Sequence, residues 1–230
     1  MRSRAAILGT VLAATLAGCG TGGGNDLAGH TRLIDELAQQ VDGSGDRGYT
    51  AEYLLGADGA AVTIGWQADP PRAVYRFPGG RYVVTEEYTM VCTPEDAPEE
   101  CRLTDPTSPG TPPGAAVLAE LSGQQYLAPQ TVIGWLTEAG ASSAAAITSD
   151  TRSIAGAHTT CVLVSGAEGA RVSDFEACFT DAGLLGSFSG TVDGEARSVV
   201  LASVSGTVDA ELFEVPADAV VTDDREVDPT

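Results

Sequence analysis

From Tyr49 onward the apolar residues of this chain recur at every second position in short runs, and Gly, Pro and Asp turns separate the runs. No other feature limits the fold as much. Period two presents one face of a strand, and closely spaced turns fold successive strands back antiparallel. Tyr49, Ala51, Tyr53 and Leu55 make the first run, closed by the hairpin turn Ala57-Asp58-Gly59. Val62, Ile64 and Trp66 make the second, and Asp69-Pro70-Pro71 turns the chain. Ala73, Tyr75 and Phe77 follow, then Pro78-Gly79-Gly80, then strands over 82–88 and 89–92. This meander has one apolar, aromatic face; the other is expected to carry Arg72, Arg76 and threonines.

Helical spacing occurs on either side of the meander. Asn25 or Asp26 caps a helix running to about Val41, with Leu27, Leu33, Ile34, Leu37 and Val41 on one stripe and Asp42-Gly43-Ser44-Gly45 as its stop. Residues 105–114 are Pro- and Gly-rich and read as a loop. Two short helices are expected at 115–121 and 129–139, the second with Val132, Ile133, Trp135 and Leu136 as its apolar positions. Strands then resume at 151–154, 160–165, 174–180, 184–188, 197–204 and 210–215, where Pro216 ends the last. Residues 218–230 read as an acidic disordered tail. Helices grouped beside an antiparallel sheet define an α+β domain over 25–217, with a curved sheet and the helices covering its apolar face.

Ahead of this domain, Arg2 and Arg4 precede an apolar run from Ala5 to Ala17 and a small-residue site at Gly18. That is the layout of an export signal, and a run of 13 residues is too short to span a bilayer. Leu16-Ala17-Gly18-Cys19 resembles the lipobox of bacterial lipoproteins. The resemblance implies cleavage after residue 18, lipidation of Cys19 and a position on the extracytoplasmic face of the cell membrane. The stretch 20–24, Gly-rich, reads as a flexible tether. All 12 basic residues are arginine and the chain is rich in Ala, Gly, Val and Asp, a composition that suggests a GC-rich, actinobacterial source.

Four cysteines remain in the domain: Cys92, Cys101, Cys161 and Cys178. An even number in an exported chain points to disulfides, and four allow three pairings. The local pairings 92–101 and 161–178 each fit a hairpin. If strands 160–165 and 174–180 pair around the loop 166–173, cross-strand partners sum to 339, which places Cys161 opposite Cys178. A metal site lacks the usual CxxC or CxH spacing.

Beyond the signal, ten arginines face 32 carboxylates, a net charge of −22. Such a chain is a poor match for nucleic acid. His30 and His158 are the only histidines, and no G-x-S-x-G elbow accompanies them. Asp42-Gly43-Ser44-Gly45-Asp46 echoes a calcium loop, but its twelfth position is Tyr53. Glu86-Glu87 and Glu99-Glu100 read as solvated turn acids. The expectation is a non-enzyme with no cofactor and no metal.

The order of elements resembles the half-barrel of Lol-type lipoprotein carriers and the LprG/LppX group of mycobacterial lipoproteins. The matching pieces are the lipobox, the leading helix, the meander, the inserted helices and a closing strand at 212–217. The paired cysteines and the shortness of the middle helices depart from that pattern. The resemblance implies a concave sheet that holds an acyl chain or another apolar envelope ligand. Tyr53, Leu55, Ile64, Trp66, Tyr75, Phe77, Tyr82, Trp135 and Phe188 are the candidate lining. The same residues at the same spacing equally make the ordinary core of a sheet packed on helices. In that case the chain is a protein-interaction or sensor module, docking an envelope partner through 105–114 or the acidic hairpin 93–100.

Overall fold

The computed structural model describes residues 27–93, 98–107 and 126–226. The lipobox, the tether, the first helix cap and the helix expected at 115–121 lie outside the described residues, as do most of the 105–114 loop and the tip of the acidic hairpin 93–100.

Helix α1 (Leu27–Asp42) comes first, followed by a 3-10 turn (Gly43–Asp46). A meander of six strands follows: β1 (Tyr49–Leu55), β2 (Ala60–Ala68), β3 (Pro71–Phe77), β4 (Gly80–Val84), β5 (Thr89–Thr93) and β6 (Glu100–Thr104). Helix α2 (Pro129–Gly140) begins with Pro at its first turn, where a missing N–H costs no hydrogen bond. A second meander comprises β7 (Ala146–Ile154), β8 (Ala157–Ser165), β9 (Phe175–Thr180), β10 (Leu185–Val192) and β11 (Glu195–Ser205). A 3-10 turn (Ala210–Phe213) and β12 (Val220–Asp223) complete the described elements.

The strands form one open, mostly antiparallel sheet of twelve, in the order β12-β6-β5-β4-β3-β2-β1-β11-β10-β9-β8-β7. The two meanders join where the first strand of one pairs with the last strand of the other, β1 with β11. Cys161 faces Cys178 and Cys92 faces Cys101 in the ladders, and both pairs are disulfide-bonded. The cross-strand sum of 339 holds along the whole β8–β9 ladder.

Helices α1 and α2 pack together on one face of the sheet. Ile34, Leu37 and Val41 from α1 and Val132, Trp135, Leu136 and Ala139 from α2 join the inward residues of both meanders in the main core. Gly183, in the β9–β10 turn at φ +79°, lets this turn press on the end of α1, since a Cβ there would run into the Gln40 carbonyl.

Several expectations are corrected at the C-terminus. Residues 210–215 are not a strand. Asp209 accepts a hydrogen bond from the Glu211 amide (3.0 Å) and starts the 3-10 turn, which sends the adjacent residues Leu212 and Phe213 toward the same sheet face. The closing strand on which the carrier resemblance partly rested is therefore absent. The final strand lies instead in the segment read as a disordered tail, where β12 pairs parallel to β6. Arginines offset its acids: Arg102 lies 3.4 Å from Asp224, and Arg225 2.6 Å from Asp223. The strand expected over 82–88 stops at Val84, because Thr85 accepts the amides of Glu87 and Tyr88 and turns the chain.

The second face of the first meander is not simply polar. Val74, Val83, Met90 and Leu103 stand in one cross-strand row, and the segment leading to β12 covers them with Val208, Leu212, Phe213 and Val215. Gly65, next in that row on β2, makes the close approach possible: a Cβ there would sit 2.7 Å from Val74 and 3.5 Å from Val208. Arg72 lies over the Phe213 ring at 4.2 Å, and the Tyr88 hydroxyl donates to the Phe213 carbonyl at 2.7 Å.

Candidate ligand-binding site

The helices fill the concave face unevenly. Over β9–β11 the core is closed: Trp135 packs on Phe188 (5.4 Å between ring centres), and Phe188 stacks on Phe175 (5.8 Å). Leu55, Phe77 and Tyr82 are likewise buried in the core, at 1%, 5% and 7% exposure. These five candidates, Leu55, Phe77, Tyr82, Trp135 and Phe188, serve as packing and do not line the cavity.

Space remains at the other end of the face, where α1 stops. A cavity of about 180 Å³ lies between the end of α1, strands β1–β3 and the segment 126–130 that leads into α2. Of the nine candidates, Tyr53, Ile64, Trp66 and Tyr75 stand in its wall. Their placement follows from register. Tyr49 and Tyr53 share a face of β1, Tyr49 pairs with Trp66, and Ile64 pairs with Tyr75. Tyr49 and Tyr126 also line it and were not among the candidates. Tyr49 was legible as the first residue of the alternating run that ends at Leu55. Tyr126 follows a Pro- and Gly-rich stretch with no period to read. It meets Tyr53 edge-on at 6.5 Å and Phe77 at 5.7 Å.

At the rim, Val41, Asp42, Ser44 and Gly45 come from the end of α1 and its 3-10 turn, and Gln130 from the start of α2. The Trp66 indole N–H donates to the Gly45 carbonyl at 2.7 Å, which ties the rim to the sheet, and the Ser44 hydroxyl donates to the Val41 carbonyl at 2.7 Å, which fixes the turn to the helix end. Burial pushes the phenols of Tyr49, Tyr53, Tyr75 and Tyr126 upward, Tyr75 to about 12, and each feels another tyrosine as well. Among the described residues, none hydrogen-bonds to any of these four hydroxyls. A larger groove of about 460 Å³ adjoins, and Ser44, Tyr49 and Leu184 line both.

The other candidates divide simply. His158 Nδ1 lies 3.1 Å from Asp181 Oδ1, but both side chains are more than half exposed and His158 lines neither the cavity nor the groove. Cys92, Cys101 and Glu99 lie close enough to hold an ion, yet both sulfurs are spent on the disulfide and are not thiolate ligands. Cys19 lies outside the described residues. No described helix is long and apolar enough to cross a membrane.

No family model and no curated protein matches this sequence. Among solved structures, the chain is similar to an uncharacterized conserved protein from Thermus thermophilus, at 11% identity and a TM-score of 0.47, covering 83% of this chain and 99% of that one. It is similar to MucB at 11% identity and a TM-score of 0.49, covering 82% of this chain and 64% of MucB. The MucA/MucB complex of Pseudomonas aeruginosa gives 13% identity and a TM-score of 0.47, covering 81% of this chain and 62% of the matched one. The chain thus spans less than two thirds of the MucB chains it matches.

Proposed function

We propose that this chain is an exported lipoprotein, anchored through Cys19, that binds part of an apolar or amphiphilic envelope ligand without catalysing a reaction. The observation that carries the reading is the aromatic cavity left where the helices stop covering the curved sheet. At about 180 Å³ it is smaller than the ~300–1,000 Å³ of a typical ligand pocket. It therefore suits one end of a molecule, with the remainder lying in the adjoining groove of about 460 Å³. This narrows the expectation of whole acyl chains held in an open half-barrel, since the trough under α1 and α2 is occupied by core.

Native mass spectrometry of the exported protein tests this. An added mass removed by organic extraction, and lost in Ala128→Trp at the cavity wall, is the expected result. A clean apo mass that stays unchanged after mixing with envelope lipids would contradict it.

A second reading, a protein-interaction module, draws support from β7. This nine-residue strand forms the outer edge of the sheet and is exposed along most of its length. An extended peptide from an envelope protein could add to such an edge. Proline at Ser149, whose N–H points away from β8, would then abolish binding of the partner while leaving the cavity unaffected.

A further inference from the structure

We propose that the tyrosine-lined cavity recognises an organic ammonium group, the cationic end of its ligand. This rests on the binding-module reading above and names the chemistry of the site.

The argument starts from the lining. Four tyrosines and a tryptophan surround the space, and among the described residues the lining holds no arginine, lysine or histidine. Ring faces attract cations through the aromatic quadrupole, and the attraction is largest when the cation is desolvated. The lone pairs of the four phenol oxygens carry partial negative charge, which also favours a cation. The phenols remain neutral far into the alkaline range, because burial opposes phenolate formation.

Charge selects the sign. Among the described residues, Asp42 is the one ionisable side chain of the rim besides the phenols, and it is the last residue of α1, where the helix presents its partially negative end. The whole chain carries a formal charge of −20, which raises the local concentration of cations and lowers that of anions. Phenol hydroxyls could also donate to an anion, but Asp42, the helix end and the net charge all oppose one. A neutral apolar group would gain ring contact but none of the electrostatic attraction of the ring faces and Asp42.

Such a group can belong to a free amine or to the head of a cationic amphiphile, and the same titration separates them. The exported full-length protein is titrated with choline, with its neutral isostere 3,3-dimethylbutan-1-ol, and with decyltrimethylammonium below its micelle concentration. The readout is Trp66 fluorescence in a Trp135→Phe background that retains the native circular dichroism spectrum. The expected result is saturable binding of choline, at least tenfold weaker binding of the neutral isostere, and a three- to tenfold loss of choline affinity in Asp42→Asn with no change for the isostere. Decyltrimethylammonium binding far tighter than choline assigns the head to an amphiphile; equal binding assigns a small free ammonium compound. If the isostere binds as well as choline, the cation proposal is overturned and apolar binding stands. If neither binds while extractable lipid is found by mass spectrometry, the proposal likewise fails alone. If neither binds and no lipid is found, both readings fail.

Discussion

The tyrosines set the chemistry of this molecule residue by residue. Each buried phenol ionises less readily in the folded chain than in the unfolded one, whose value is 10.0. Between the two values the unfolded chain loses protons first, so stability is complete below pH 10 and falls as pH rises above it, through about 12 for Tyr75. A phenolate absorbance titration should show the cluster ionising together with loss of native circular dichroism, rather than at pH 10 in a folded protein. Gly183 is a second sensitive point. Gly183→Ala forces a side chain into positive φ and into the Gln40 carbonyl, and should destabilise by more than the ~1 kcal/mol of an ordinary helix or strand change. A urea midpoint unchanged from wild type would show that the β9–β10 turn does not press on α1. That Tyr53, Ile64, Trp66 and Tyr75 share one face of the sheet was readable from the sequence, because they belong to an alternating pattern whose turns fix the register. Which of the nine candidates would face space and which would face a helix was not readable. That depends on where α1 ends relative to the sheet, a long-range packing fact.

Among the elements, the hairpins were the most legible and the C-terminal crossing the least. Two cysteines at a fixed cross-strand sum identify one register, and the β8–β9 ladder keeps it. Removing both cysteines of a bridge should lower stability by roughly 2–4 kcal/mol. The 161–178 pair should cost about 0.5 kcal/mol more than 92–101, since its loop spans 17 residues rather than 9. Paired urea denaturation of the two double serine variants checks both the size and the order. The segment expected as a strand over 210–215 was misread because an alternating template cannot describe Leu212 and Phe213, adjacent residues that both reach the same face. Its role is to cover the row Val74, Val83, Met90 and Leu103, which would otherwise be an exposed apolar stripe. Phe213→Ala should therefore cost about 3–5 kcal/mol. A loss below ~1 kcal/mol would mean that the crossing segment does not stabilise the sheet.

For the whole molecule, the proposed anchor and the aromatic cavity of the curved sheet are tested separately. Cys19→Ala should move the protein from the membrane fraction to the soluble extracytoplasmic fraction; retention on the membrane would remove the anchor from the account. The cavity itself is tested most directly by ring-labelled tyrosine NMR, because the chain has six tyrosines and four of them line it. On titration with an envelope lipid extract, Tyr49, Tyr53, Tyr75 and Tyr126 should shift in concert and saturate, while Tyr88, across the sheet under the C-terminal crossing, should not move. Shifts confined to Tyr88, or none at any of the four while the protein stays folded, would contradict the central claim that this cavity is where the protein binds.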